Sequence, residues 1–175
     1  EISLYVHIPF CKQRCFYCDF PTFAGKEKYR EEYIDALIKE IKEKCSNYII
    51  KTIFIGGGTP SYLETKELEK LLKVIKNLNL SKDIEYSMEC NPGTLTKEKL
   101  MVMKKSGVNR ISFGLQSCNN KLLKEIGRIH TFEEFLENYN LARDIGFENI
   151  NVDLMYGLPN LTVDLWKETL EKVCD

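Results

Sequence analysis

Three cysteines, Cys11, Cys15 and Cys18, fall within eight residues, so one short loop can bring three thiolates to a single metal centre. Three thiolates leave a tetrahedral zinc or a cubane iron-sulfur cluster one ligand short, and sites that keep a position open are those that do chemistry at it. A closed zinc site would need a fourth ligand, for which the chain offers His7 and His130. Such sites usually draw their cysteines from separated pairs, whereas three thiols in one loop beside Phe16 and Tyr17 suit a [4Fe-4S] cube with one bare iron. That iron calls for a chelating ligand. The run Gly56-Gly57-Gly58-Thr59-Pro60 supplies backbone that a small zwitterion can approach closely. Glu89 is suited to accept hydrogen bonds from a ribose diol, and Gln116 and Asp153 can anchor other polar groups. Singly, each reads equally well as a turn or surface residue; together they make a site only if the fold gathers them.

The elements that must do the gathering are legible as changes of period. Leu4, Val6 and Ile8 alternate with Tyr5 and His7, which predicts a strand over Ser3–Ile8 delivering the chain into the cysteine loop. Ile34, Leu37, Ile38, Ile41 and Cys45 then mark a helix over 27–47. A second strand, Lys51–Ile55, runs into the glycines, and Leu68, Leu71, Leu72, Ile75 and Leu78 mark the next helix. In the third strand, Ile84–Cys90, Glu85, Ser87 and Glu89 oppose Tyr86, Met88 and Cys90, and Asn91-Pro92-Gly93 breaks the run. A helix over about 96–106 stops at Gly107. The fourth strand, Arg110–Gln116, precedes a short helix over 119–126. Gly127-Arg128-Ile129-His130 leads to a helix opened by Thr131, with Glu134 at capping-box spacing. Asn149–Leu154 is the fifth strand, and a last helix begins near residue 162.

Five strands alternating with helices imply an α/β fold with a parallel sheet. A doubly wound sheet is covered on both faces and its strands are apolar throughout, yet several strands here keep a polar second face. The expectation is therefore a partial, open (β/α) barrel of about five parallel strands. Tyr5, His7, Glu89, Gln116, Asn151 and Asp153 would line its inner face, and the cysteine loop and glycines would lie at the C-terminal ends of the strands. Residue 175 falls in or just after the last helix without a Gly or Pro stop, and the fifth strand would be an edge. Residues 1–175 are thus expected to form one core domain of a longer chain.

Composition narrows the function classes. With 175 residues, 43% hydrophobic and 29% charged, the chain can bury a sizeable core. Lys plus Arg number 25 against 26 Asp plus Glu, so the basic excess that drives phosphate-backbone binding is missing and no nucleic-acid partner is expected. No apolar run approaches the roughly 20 residues of a membrane span, and no secretory pattern opens the sequence. A cytoplasmic location is the expectation. Seven cysteines, an odd number, do not form a disulfide framework, and Cys45, Cys90, Cys118 and Cys174 are expected as buried small hydrophobes.

The runs LYVHIPFCKQRCFYCDF, FIGGGTPS, ECNPGT, RISFGLQS, GRIHT and DLMYGLP resemble, in order and spacing, the radical S-adenosylmethionine (SAM) enzymes. Within them the chain is most similar to the branch holding oxygen-independent coproporphyrinogen III oxidase and its haem-chaperone relatives. The resemblance implies that Cys11, Cys15 and Cys18 ligate a [4Fe-4S] cluster whose unique iron is chelated by SAM. It also implies that Tyr5 lies near the cofactor, Tyr17 beside the nucleoside, Gly57, Gly58 and Thr59 at the methionine part and Glu89 at the ribose. Gln116, Arg128 and Asp153 would make further polar contacts. A tetrapyrrole (haem or coproporphyrinogen III) and an electron donor would be the partners. Two departures stand out. The oxidase-type motif carries another cysteine two residues beyond the last ligand, where this chain has Asp19 and Phe20 after Cys18, which favours the chaperone-like subgroup. Family members also have a sixth strand and a C-terminal domain, so hydrogen abstraction by a 5'-deoxyadenosyl radical and haem carriage both remain open.

Overall fold

The computed structural model describes residues 1–174, and Asp175, expected in or just after the last helix, lies outside the described residues. The chain opens with β1 (Ile2–Ile8), then β2 (Phe10–Cys11) and β3 (Phe23–Ala24), α1 (Arg30–Cys45), β4 (Ile50–Gly57), α2 (Thr65–Lys76) and β5 (Leu80–Cys90). It continues with α3 (Lys97–Lys105), β6 (Arg110–Gln116), α4 (Asn120–Glu125), α5 (Phe132–Asp144), β7 (Asn149–Leu154) and α6 (Val163–Cys174). Short 3-10 turns precede α1 and α2.

The main sheet runs β1-β4-β5-β6-β7, every neighbouring pair parallel. This sequential order is that of a singly wound barrel opened along one seam. Connections of one hand place successive helices on the same face, and α1 packs on α2, α2 on α3, and α3 on α5. The register lines up Val6, Ile55, Met88, Ile111 and Ile150 in one row across the five strands. The first four of these are fully buried, at about 1.5–3 kcal/mol each for such side chains. The next row on the opposite face is polar, with Glu89, Ser112 and Asn151 in register. That row faces the concave side and leads to the site.

Local signals set the helix ends. Thr131 and Glu134 close a capping box on α5, and Glu64 with Glu67 closes another on α2. Asn119 caps α4 and Thr96 caps α3 through their side-chain oxygens. The third and second strands are longer than their alternation implied. β5 begins at Leu80, which pairs with Ile50 before a register shift, and β4 continues into the glycines as far as Gly57. Cys45, Cys90 and Cys118 are buried as expected, whereas Cys174 is exposed in the last turn of α6. Among the described residues no helix is long and apolar enough to cross a membrane.

Candidate cofactor site at the C-terminal ends of the strands

The cysteine loop is held against the sheet by backbone. The Phe23 N–H donates to the Pro9 carbonyl at 2.7 Å, and β2 pairs with β3 in parallel, which folds residues 12–22 into a closed loop. On its far side the Phe16 N–H donates to the Ile126 carbonyl at 3.0 Å and the Gln13 side chain to the Gly127 carbonyl at 3.1 Å. Gly127 has φ 77°, and a Cβ there would stand 3.4 Å from the Phe16 nitrogen, so glycine lets the α4–α5 connection dock on the loop. The loop's own turn is closed by the Cys18 N–H on the Cys15 carbonyl and by Arg14 on the Cys18 carbonyl.

Opposite the loop, the β4 glycines come as close as backbone can. A Cβ at Gly58 would lie 2.9 Å from the carbonyl oxygens of Ile8 and Phe10 and 3.0 Å from Cys11 Sγ. The amides of this segment are already spent. Gly57 N–H donates to Glu89 Oε2 at 3.0 Å, Gly58 N–H to the Ile8 carbonyl at 2.8 Å and Thr59 N–H to the Phe10 carbonyl at 2.9 Å. With its donors taken, this backbone can meet a polar ligand only through carbonyl oxygen, which suits an ammonium better than a carboxylate.

Between these walls lies a cleft of about 180 Å3, open to solvent and lined by all three loop cysteines. Tyr17, Gly57, Gly58, Thr59, Glu89, Gln116, Arg128 and Asp153 also line it. Tyr5 does not. Its ring is 54% exposed and stacks on Phe54, and its hydroxyl is 3.0 Å from His7 Nδ1. Because His7 Nε2 sits 3.1 Å from the Pro21 carbonyl, which can only accept, Nε2 carries the proton and Tyr5 donates to Nδ1. His7 is thereby held away from any metal role. His130, the other zinc candidate, is also absent from the cleft lining.

Electrostatics differ along the walls. Burial pushes the Glu89 carboxyl above its ordinary range, opposed by the Gly57 N–H and assisted by the charge of Asp153. Asp153 is engaged through both oxygens, accepting from Ser112 at 3.0 Å and from Asn151 at 2.7 Å. Burial raises the Cys11 thiol, with the Thr59 hydroxyl pulling the other way. Tyr17 is pushed up to about 12, chiefly by burial and against the nearby Arg128. Gln116 adopts φ 72°, a conformation costing a non-glycine residue about 1–2 kcal/mol. It does so where the β6–β7 register shifts, and its carbonyl accepts the Met155 N–H at 2.9 Å. The strained backbone turns the side chain into the cleft, where Gly114 leaves room for it: a Cβ there would stand 3.1 Å from Gln116 Nε2.

One residue of this site escapes a reading of the sequence. Asn91, which reads as the stop of the third strand, accepts from Arg128 Nη2 at 2.7 Å and donates to Thr59 Oγ1 at 2.9 Å. Its sequence signals are its place inside the run ECNPGT and directly beyond a strand's C-terminal end, where barrel sites lie, and neither says what the side chain bonds to.

A family model for the radical SAM superfamily matches residues 5–173. The chain belongs to the radical SAM superfamily. Membership implies a [4Fe-4S] cluster and SAM. The fit of this radical SAM chain to that pair lies in its donor set: three thiols lining one cleft together with Gly57 and Gly58, of which Gly58 is so close to Cys11 that a Cβ would lie 3.0 Å from its sulfur. Among the described residues no three His, Cys, Asp or Glu side chains converge on a single ion, and a cube, whose ligated irons stand apart, does not require them to. The chain is 45% identical over 166 residues to the haem chaperone HemW of Bacillus subtilis, covering 92% of this chain and 44% of that protein. It is 38% identical over 179 residues to oxygen-independent coproporphyrinogen III oxidase of Helicobacter pylori, covering 98% and 39%. The solved structure of coproporphyrinogen III oxidase (HemN) from Escherichia coli, a radical SAM enzyme, superposes with TM-score 0.89 at 34% identity, over 98% of this chain and 41% of that one. The chain thus spans less than half the length of these relatives.

Proposed function

We propose that this chain is the cluster- and SAM-binding core of a cytoplasmic haem chaperone related to oxygen-independent coproporphyrinogen III oxidase. The observation that carries the reading is the convergence of the three cysteines, the glycine cradle and Glu89 on one cleft. Cys11, Cys15 and Cys18 ligate the cluster. The carbonyls of Gly57 and Gly58 take the ammonium of SAM, and Thr59 closes that end of the cradle. Glu89, with one oxygen on Gly57, offers the other to the ribose diol. Tyr17 flanks the nucleoside, Tyr5 acts from just outside the cleft, and Gln116, Arg128 and Asp153 complete the polar wall. When bound, the pair supplies one-electron cleavage of the sulfonium. The protein's part is to bind, orient and exclude water.

Haem carriage is favoured over decarboxylation by Asp19 and Phe20, which stand after Cys18 where the oxidase-type motif has a cysteine. The partners of this reading are haem and an electron donor for the cluster. The structural likeness to HemN supports a second reading, oxidation of coproporphyrinogen III. Anaerobic reconstitution with iron and sulfide, followed by metal analysis and haem titration, tests both. About four irons per chain, haem binding and no vinyl product from coproporphyrinogen III are expected. Vinyl product with 5'-deoxyadenosine would establish the second reading instead, and zinc without iron would refute both.

A further inference from the structure

Hydrogen-bond directions at Asn91 follow from donor chemistry alone. Arg128 can only donate, so the atom facing its Nη2 at 2.7 Å is the Asn91 oxygen, and the Asn91 amide nitrogen must face Thr59 Oγ1 at 2.9 Å. The Thr59 hydroxyl accepts there. Its single hydrogen is then free for its other neighbour, Cys11 Sγ at 3.5 Å. On the other side, Arg128 Nη2 also donates to the Gly114 carbonyl, which pins the guanidinium and aims Nη1 at Cys15 Sγ, 3.6 Å away, and at the Tyr17 hydroxyl at 3.5 Å.

Asn91 itself cannot turn freely. Its N–H donates to Ser61 Oγ at 3.0 Å and its carbonyl accepts from Thr94 Oγ1 at 2.7 Å. The half-buried Lys99 ammonium ties the same corner, donating to the carbonyls of Ser61 at 2.8 Å and Thr94 at 2.9 Å. The backbone beneath the amide is therefore fixed, and the amide's two bonds to Thr59 and Arg128 orient two donors in turn.

We propose that Asn91 is a positioning residue that directs the Thr59 hydroxyl onto Cys11 and the Arg128 guanidinium onto Cys15, so that one amide governs the hydrogen bonding of two of the three sulfurs. The consequence for a cluster rests on the reading above: hydrogen bonds to ligating sulfur raise the reduction potential, so the relay makes the cluster easier to reduce. The relay itself is a property of the polypeptide.

The test uses Asn91→Asp, which keeps the size of the side chain and its acceptor for Arg128 but turns the atom facing Thr59 into an acceptor. The hydroxyl then swings from Cys11 to the new carboxylate. In the metal-free chain, mass-mapped alkylation at one mildly alkaline pH is expected to slow at Cys11 relative to Cys18 in N91D and in T59V, and to keep its native ratio in T59S. In the reconstituted protein the potential is expected to fall in T59V, to stay in T59S, and to fall less on adding N91D to T59V than on adding it to the native chain. Equal shifts with and without the Thr59 hydroxyl would reduce N91D to a charge effect and overturn the relay, as would an unchanged Cys11 to Cys18 ratio in T59V. Failure to take up iron would count against the cluster reading alone, since the alkylation ratio needs no metal.

Discussion

Replacing Gly57 by alanine tests the cradle at its tightest point. Gly57 has φ 113°, and a Cβ built there would lie 2.5 Å from two atoms of the His7 ring. Two costs follow. An L-residue forced to positive φ loses about 1–2 kcal/mol. Displacing His7 breaks its bonds to Tyr5 and to the Pro21 carbonyl, about 0.5–1.5 kcal/mol each. Against these, alanine restricts the unfolded chain and returns about 0.4–1 kcal/mol. The net loss centres near 3 kcal/mol, and at roughly 2–4 °C per kcal/mol for a domain of this size the Tm falls by about 6–12 °C. Urea denaturation of G57A, H7A and the double variant apportions the two costs. With His7 truncated the steric part vanishes, so G57A in that background costs only about 1 kcal/mol. A G57A chain within about 0.5 kcal/mol of native, or an equal loss in both backgrounds, would refute the account of why glycine stands there.

Three further outcomes follow from the same geometry. Glu89→Gln relieves a buried carboxyl whose ionisation is disfavoured while keeping an acceptor for Gly57; its urea midpoint rises at neutral pH, while SAM binding by calorimetry weakens about ten- to hundredfold as a charged acceptor is lost. Arg128→Leu leaves the Asn91 oxygen and the Gly114 carbonyl unpaired, costing about 1–3 kcal/mol in denaturant unfolding and lowering iron retention as the loop loosens. His130 is 3% exposed, and burial, with Arg128 nearby and the Leu115 backbone pulling the other way, lowers it to about 3. Its folded pKa lies below its unfolded value of about 6.5, so its contribution is complete above that pH and is lost at about 1.4 kcal/mol per unit as pH falls towards 3. Unfolding free energies of H130L across that window are expected to be flatter than native, and an unchanged slope would assign the acid sensitivity to other groups.

Strands are legible in the sequence where burial on one face forces a period of two, and each of the five runs read as strands is found as a parallel strand of the sheet. The amphipathic helices are legible for the corresponding reason, with Leu68, Leu71, Leu72 and Ile75 all buried. What alternation misses is pairing without burial. Lys82 and Asp83 are exposed yet belong to β5, because the sheet's hydrogen bonds do not depend on where side chains point. Tyr5 shows contacts that alternation does not report. It is on the concave face as its parity requires, but its hydroxyl is claimed by His7 and its ring by Phe54, and neither contact has a signature in linear spacing.

Asn91 shows why a site of this kind is harder to read than the fold beneath it. In sequence, Asn-Pro-Gly is a strand stop, and the backbone obeys: β5 ends at Cys90. A parallel sheet, however, sets every such stop at the same edge, beside the ends of its neighbours. There the residue that ends one strand meets Thr59 from just beyond β4, and Arg128 from the connection after α4. A side chain chosen only to break a strand would need no partner. This amide has one on each side, each a neighbour of a cysteine sulfur, so turn formation alone does not account for asparagine over the other residues that stop a strand. Substituting Asp, equally good in turns, separates the two roles: the strand still ends at Cys90 while the hydroxyl of Thr59 changes its partner.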